Sequence, residues 1–465
     1  MLSRRDALKL MGISPIAAGL LASSSSSSIS SAEAADVNGK IVIVGGGAGA
    51  IMALARLHRS IANPDITIIA PNELHIYQPG QIFQAAGLYL HNDLIKPNSD
   101  FIPEDVNWIK DAVESFDPDT NSLMTRSGEK VTYDYLVVAA GIDYHYDWIR
   151  GLKEEDIGTK GIASVYLSNF EKGTTDGGSI TWDWFNQLKE AAATSRKSPR
   201  VIYTQPATAI KCGGAPQKIL YLSADHLKKD GLSAEYTLAI AGEKLFSLKP
   251  IADSLGEVQK RYNTITNKFR HNLISIDKYA KIATFEHTYE INGAYDAELE
   301  EYDTITKREI VELEYDFIHV VPPMTAAKAV HESKLGWQKG TGKGWLEVDK
   351  TTLQHRRYSN VFGIGDVCGI PMGKTGGSAR HHAPIVVENL LSQMQGKTLQ
   401  EKFDGYTVCP LKAGYGEIIM AEFNYDGLAP SIPFLAPENP SRLWWFFDLH
   451  MLKGMYWYLM MRGLM

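Results

Sequence analysis

Cysteine is scarce: three residues in 465. So few thiols cannot staple a scaffold, and any bridge among them reads as catalytic or redox-active rather than structural. Positive charge is not in excess either. The net charge is −7, with no basic stripe, which excludes a nucleic-acid binder. No apolar run reaches the roughly 20 residues that a membrane-spanning helix needs, and no cluster of residues asks for a metal. What remains is ordinary globular composition, 44% hydrophobic and 22% charged, in a chain long enough for two or three domains with full cores.

The N-terminus reads as a leader. Arg4 and Arg5 precede an apolar stretch from Leu10 to Ala22, then a serine run and the small-residue site Ala32-Glu-Ala34. That order is a signal peptide over residues 1–34, and Arg4-Arg5 with Leu8 and Lys9 resembles a twin-arginine signal. Next, Lys40-Ile-Val-Ile-Val44 is an apolar strand that runs straight into Gly45-Gly-Gly-Ala-Gly-Ala50 and a helical pattern through Leu54, Leu57 and Ile61. Strand, G-x-G-x-x-A and helix together predict a dinucleotide-binding unit. The second strand, Asp65 to Ile69, lacks the usual ribose-binding acid. Ala70 stands there, with Asn72 or Glu73 as substitutes. Lys110 to Val113 is expected to end a further strand, and Val131 to Gly141 to form one closed by small residues. His75 to Pro79, with Phe83, is expected to run beneath a bound ring.

Residues 142–178 read as a crossover into a second domain. Arg200-Val-Ile-Tyr203 predicts a strand and Gln217 to Leu227 a helix, with Pro216 at its start. The loop between them has no G-x-G-x-x-G. It holds Lys211 and Cys212 instead, where free backbone N–H groups and the helix dipole favour a thiolate. Residues 255–302 are expected to form a solvated sheet. The chain then returns to the first domain, through a strand ending at Asp366, Cys368 two places on, Lys374, and a helix over Gly377 to Met394. Trp, Tyr, Phe and Met crowd 442–461, a pattern suited to a lipid interface or to packing on the core.

Five stretches carry a family resemblance: Lys211-Cys-Gly-Gly-Ala-Pro-Gln-Lys218, Val320-Val-Pro-Pro-Met324, Leu353-Gln-His-Arg-Arg-Tyr358, Gly363-Ile-Gly-Asp366 and Tyr406-Thr-Val-Cys-Pro410. From Gly39 to the C-terminus the chain resembles the sulfide:quinone oxidoreductases, flavoproteins of the disulfide-reductase superfamily, and is most similar to the branch with the mitochondrial enzymes. The resemblance implies an α/β fold of two Rossmann-like dinucleotide-binding domains. The expected division is 36–150 and 325–405 for FAD, 151–324 for the cysteine loop, and 406–465 for a C-terminal amphipathic membrane-associating region. It implies non-covalent FAD held by Gly45, Gly47, Gly141 and Asp366, with Ala48, Asn72, Val113, Ala140, Gly365 and Lys374 in the same set.

The same resemblance implies that Cys212 and Cys368 are the redox pair, while Cys409 is an inert packed thiol. Lys374 is expected to steady negative charge on the reduced cofactor or the quinone. Implied partners are sulfide, ubiquinone or menaquinone, and a membrane surface on the periplasmic side; a homo-oligomer stays open. Two other functions compete with this one. One is the flavin subunit of a flavocytochrome c sulfide dehydrogenase, and the other a non-catalytic carrier of sulfane sulfur.

Overall fold

The structure, a computed structural model, describes residues 34–168, 176–262, 264–296, 301–432 and 435–465. The expected signal peptide lies outside these residues, apart from Ala34. Five parallel strands build the first sheet, in the order Val361–Gly363, Tyr135–Val138, Ile41–Val44, Ile66–Ile69, Asn107–Ile109. The strand direction of travel reverses between Ile41–Val44 and Tyr135–Val138, and ligands bind at such a switch point, beyond the carboxyl ends of the strands. Ile41, Val42 and Ile43 are fully buried, because both faces of the sheet are covered, one by helices and the other largely by the antiparallel strands Val113–Asp117, Ser122–Thr125 and Lys130–Thr132. Helix Ala48–Ser60 covers one face and packs on Gly376–Met394.

A second parallel sheet runs Ile162–Ala163, Phe317–His319, Arg200–Gln205, Glu235–Ile240, Ile265–Lys268. The cysteine loop leaves the carboxyl end of Arg200–Gln205 and enters helix Ala215–Lys228. The two crossovers pair with each other, Ile142–Tyr144 antiparallel to Met324–Ala326. Three antiparallel strands, His271–Asp277, Ile282–Asp296 and Glu301–Glu314, extend from this sheet. A hairpin, Thr407–Gly414 with Glu417–Asn424, lays Cys409, Leu411 and Ala413 against the core under helix Ala215–Lys228.

Three local expectations change. Residues 255–302 do not open as sheet: Lys249–Gln259 is a helix, whose Ile251, Leu255 and Val258 recur at helical spacing and are buried. Val113 does not end a strand but opens Val113–Asp117. Asp111 makes the turn before it, accepting from the N–H groups of Ala112 at 2.7 Å and Ser127 at 2.9 Å. The stretch 131–141 splits into Lys130–Thr132 and Tyr135–Val138.

The aromatic C-terminus is a helical run through Arg442–Phe446, Phe447–Met451, Leu452–Met455 and Tyr456–Met460, the second and fourth being wider π-helical turns. Among the described residues no helix is long and apolar enough to cross a membrane. One side of the run belongs to the core. Trp457 is 4% exposed and stacks on Phe101 at 5.7 Å, and the Tyr456 hydroxyl bonds His75 Nε2 at 2.6 Å. Leu443, Phe446, Tyr458 and Leu464 face outward. His75 and Tyr77, expected beneath a bound ring, turn instead to Tyr456 and Trp457. Trp457→Ala should lower the unfolding free energy by about 3–5 kcal/mol, while Tyr458→Ser should stay within about 0.5 kcal/mol of the parent, both read by denaturant unfolding.

Candidate active site

The first glycine loop is tight on one side and open on the other. A Cβ on Gly45, whose φ is +121°, would lie 2.3 Å from the Ala139 carbonyl oxygen, so only glycine lets this loop close on the neighbouring strand. On Gly47 and on Gly141, by contrast, a Cβ would meet nothing within 4 Å. Both border open space at the switch point. Helix Ala48–Ser60 starts there with no side-chain cap and no acid in its first turn, so its N–H groups and dipole suit a pyrophosphate. Asn72 spends its amide on the carbonyls of Gly46 at 3.3 Å and Leu74 at 3.1 Å. Buried Asn98 bonds Gly46 at 3.2 Å and His75 at 3.0 Å, a brace that sequence reasoning missed.

Gly365 and Asp366 follow the returning strand Val361–Gly363. Burial raises the Asp366 carboxyl above its ordinary value, while Lys211 and Lys374 draw it back. Lys374 donates to the carbonyls of Asp366 at 2.6 Å and Cys368 at 2.8 Å, over the Trp345 ring at 3.4 Å. It therefore clamps the Asp366–Cys368 turn. Burial lowers it to about 8. Ala140 is half-buried at the strand mouth beside Gly141, whereas Val113 packs on the apolar core beneath the sheet.

The cysteines are arranged differently from the expectation. Cys368 is 1% exposed among Leu346, Val348 and Val367, under the first sheet. A Cβ on Gly363 would come within 2.9 Å of its sulfur. Burial pushes this thiol up to about 12. Cys212 instead shares a side-chain hydrogen bond with Cys409. The structure thus sets Cys409, expected as a packed thiol outside the pair, next to the cysteine loop, and Cys368 in a separate core. The hairpin explains it: Thr407–Gly414 packs on the start of helix Ala215–Lys228. At Gly214 a Cβ would lie 2.2 Å from Leu411 and 2.8 Å from the Cys409 sulfur, so a missing side chain is what lets the strand approach.

Cys212 is half-buried beside exposed Gly213. Its φ is +51°, a left-handed conformation that costs a non-glycine residue about 1–3 kcal/mol and concentrates at functional sites. Three contacts hold it: its N–H bonds the Lys374 carbonyl at 2.9 Å, and its own carbonyl accepts from Ala215 N at 2.8 Å and the Tyr166 hydroxyl at 3.2 Å. Its thiol is held well below the ordinary range, first by the Cys409 hydrogen bond, then, against burial, by Lys218 and Lys412. Lys218, 2% exposed, reaches the sulfur at 3.5 Å. Burial pulls Lys218 down, but Cys212, Cys409 and Asp448 together raise it. Lys412 is paired with Asp448 at 2.6 Å, their side chains 3% and 1% exposed. Sequence reasoning missed Lys218, Lys412 and Asp448. Their signal was present: each is a charge inside an otherwise apolar run.

Two neighbouring thiols flanked by buried lysines, near a dinucleotide cradle, are groups that could interconvert between dithiol and disulfide. Residues 39–174 match the pyridine nucleotide-disulphide oxidoreductase family. The chain is 36% identical to a mitochondrial sulfide:quinone oxidoreductase of Dictyostelium discoideum, over 91% of this chain and 86% of that one. The chain belongs to the sulfide:quinone oxidoreductase family. The mouse mitochondrial enzyme of that name is 32% identical over 91% of this chain and 86% of its own length. The fold matches the solved sulfide:quinone oxidoreductase of Aquifex aeolicus with a TM-score of 0.68 at 18% identity, covering 92% of each chain.

In the reduced protein at neutral pH, iodoacetamide should label Cys212 on the order of ten times faster than Cys368 or more, because the thiolate is the reacting form. Peptide mass spectrometry against time measures the ratio.

Proposed function

We propose that the chain oxidises sulfide through a Cys212–Cys409 redox pair, with FAD as the bound electron carrier and a membrane quinone as the acceptor. The approach of Cys409 to the cysteine loop carries this reading, its sulfur lying 2.8 Å from where a Cβ on Gly214 would stand. Gly45, Gly47, Ala48, Gly141, Gly365 and Asp366 would hold FAD, whose fit is supported by the open space at Gly47 and Gly141. When bound, FAD supplies a two-electron relay between thiols and quinone.

Hydrosulfide attacks the Cys409 sulfur of the bridged pair. The S–S bond breaks, Cys409 becomes a persulfide, S–SH, and Cys212 leaves as a thiolate with the bonding pair. The thiol of lower pKa is the better leaving group, and Cys212 is the one held down while Cys409 is held up. Lys218 stabilises the departing charge at 3.5 Å. A second hydrosulfide then takes the outer sulfur as HSS⁻ and leaves a Cys409 thiol. Re-forming the bridge releases one proton and two electrons, and the quinone takes up that electron pair with two protons. Lys374, fixed between Asp366 and Cys368, contributes positive charge on the cofactor side.

Outward-facing Leu443, Phe446, Tyr458 and Leu464 support a monotopic seat on lipid, where a quinone dissolves. The Arg4-Arg5 leader supports twin-arginine export to the periplasmic face, although the matched eukaryotic relatives are named mitochondrial.

Anaerobic bleaching of the bound flavin by sulfide tests the pair. Cys409→Ser and Cys212→Ser should each slow it on the order of 10³-fold or more, while Cys368→Ser should retain it. Loss in Cys368→Ser with retention in Cys409→Ser would restore the pairing read from sequence. Replacing Leu443 and Phe446 by serine should reduce co-sedimentation with lipid vesicles and leave bleaching in solution unchanged.

A further inference from the structure

The Lys412–Asp448 ion pair has no part in the exchange chemistry above, yet it is buried almost completely. Taking two charges out of water is costly, and an apolar pair of similar volume is often at least as stable. Fold alone therefore does not call for it. Its placement is informative. Lys412 lies three residues after Cys409 on Thr407–Gly414, and its ammonium sits 4.6 Å from the Phe83 ring centre. Asp448 lies in the π-helical turn Phe447–Met451 of the C-terminal run, and such turns recur at functional sites.

Counting charge, Lys218 and Lys412 outnumber Asp448 by one, so the buried cluster carries one uncompensated positive charge until a sulfur anion forms in it. We infer that Lys412, held in place by Asp448, is a positioning residue: it keeps a second positive charge beside the cysteine pair, and the C-terminal helix holds that charge there. The inference rests on the reading of Cys212 and Cys409 as the redox pair. The groups acting on Cys212 are Cys409 and Lys412 from the hairpin and Lys218 from its own helix, with Lys211, Asp366, Tyr144 and Tyr166 as charge or dipole neighbours. Those facing the ion pair are Lys218, Tyr77 and Tyr89.

The test uses the full-length FAD-loaded protein, reduced under anaerobic conditions, with iodoacetamide labelling of Cys212 followed across pH by peptide mass spectrometry. Lys412→Met should raise the labelling midpoint by about one pH unit, a tenfold slower reaction below it. The double variant Lys412→Met with Asp448→Asn leaves no orphaned charge and keeps the fold. It should also raise the midpoint, by less than the single change, whereas Lys412→Arg should restore the parent value. A midpoint unmoved in the folded double variant overturns the inference. A parent midpoint already at the ordinary thiol value would instead count against the Cys212–Cys409 pair itself, so the two failures are distinguishable.

Discussion

A sulfur anion has to be kept inside protein, and burial by itself opposes that. Cys368 shows that penalty winning: enclosed by Leu346, Val348 and Val367, its thiol is pushed up to about 12 even with Lys374 drawing it back. Cys212 goes the other way, because a hydrogen bond from Cys409 and the charges of Lys218 and Lys412 outweigh the same penalty. Each pH unit of such a shift is about 1.4 kcal/mol between the protonation states. The influence runs both ways, since the sulfurs and Asp448 raise Lys218 against the burial that lowers it. Cysteine loop, hairpin and C-terminal helix are thus held to one arrangement by charge as well as by packing.

The backbone sets where that charge sits. Cys212 is held in a left-handed conformation by a bond from its N–H to the Lys374 carbonyl. Lys374 in turn grips the carbonyls of Asp366 and Cys368 with its ammonium group. One residue therefore links the loop of the second sheet to the turn that closes the first. Cysteine loop and cofactor cradle are thus registered through one main-chain bond and one buried ammonium.

Much of this architecture was legible in sequence because it is local. Gly45 to Ala50, Cys212 ahead of Pro216, and Gly376–Met394 each announce themselves within a few residues. What was not legible was long-range. Cys368, two places from Asp366, looked adjacent to the chemistry, but its side chain points beneath the sheet. Cys409 looked remote, but a hairpin beginning 195 residues after Cys212 returns to it across the gap left by glycine at 214. Spacing along the chain carries no information about such a return. A lysine in Val408-Cys-Pro-Leu-Lys-Ala413 and an aspartate in Trp444-Trp-Phe-Phe-Asp-Leu449 were the available clues, since an isolated charge in an apolar stretch is either exposed or paired, and these two pair with each other.

The C-terminal run is both core and surface, and that division follows from its anchors. Tyr456 bonds His75, which bonds Asn98, which holds the Gly46 carbonyl of the cofactor loop. Eight residues earlier, Asp448 holds Lys412 of the strand that carries Cys409. Burial keeps His75 neutral, lowering it to about 4, so the first chain of bonds persists across physiological pH. One helical element thus touches the glycine loop at one point and the sulfur site at another, while Leu443, Phe446 and Tyr458 on its far side remain in solvent. If lipid takes that far side, any tilt of the helix against the membrane has to strain either a buried tyrosine–histidine bond or a buried ion pair. Both are costly to break away from water, so the segment is bound to act as a rigid base rather than a tether. A lipid-dissolved quinone would then meet a cofactor site at fixed depth.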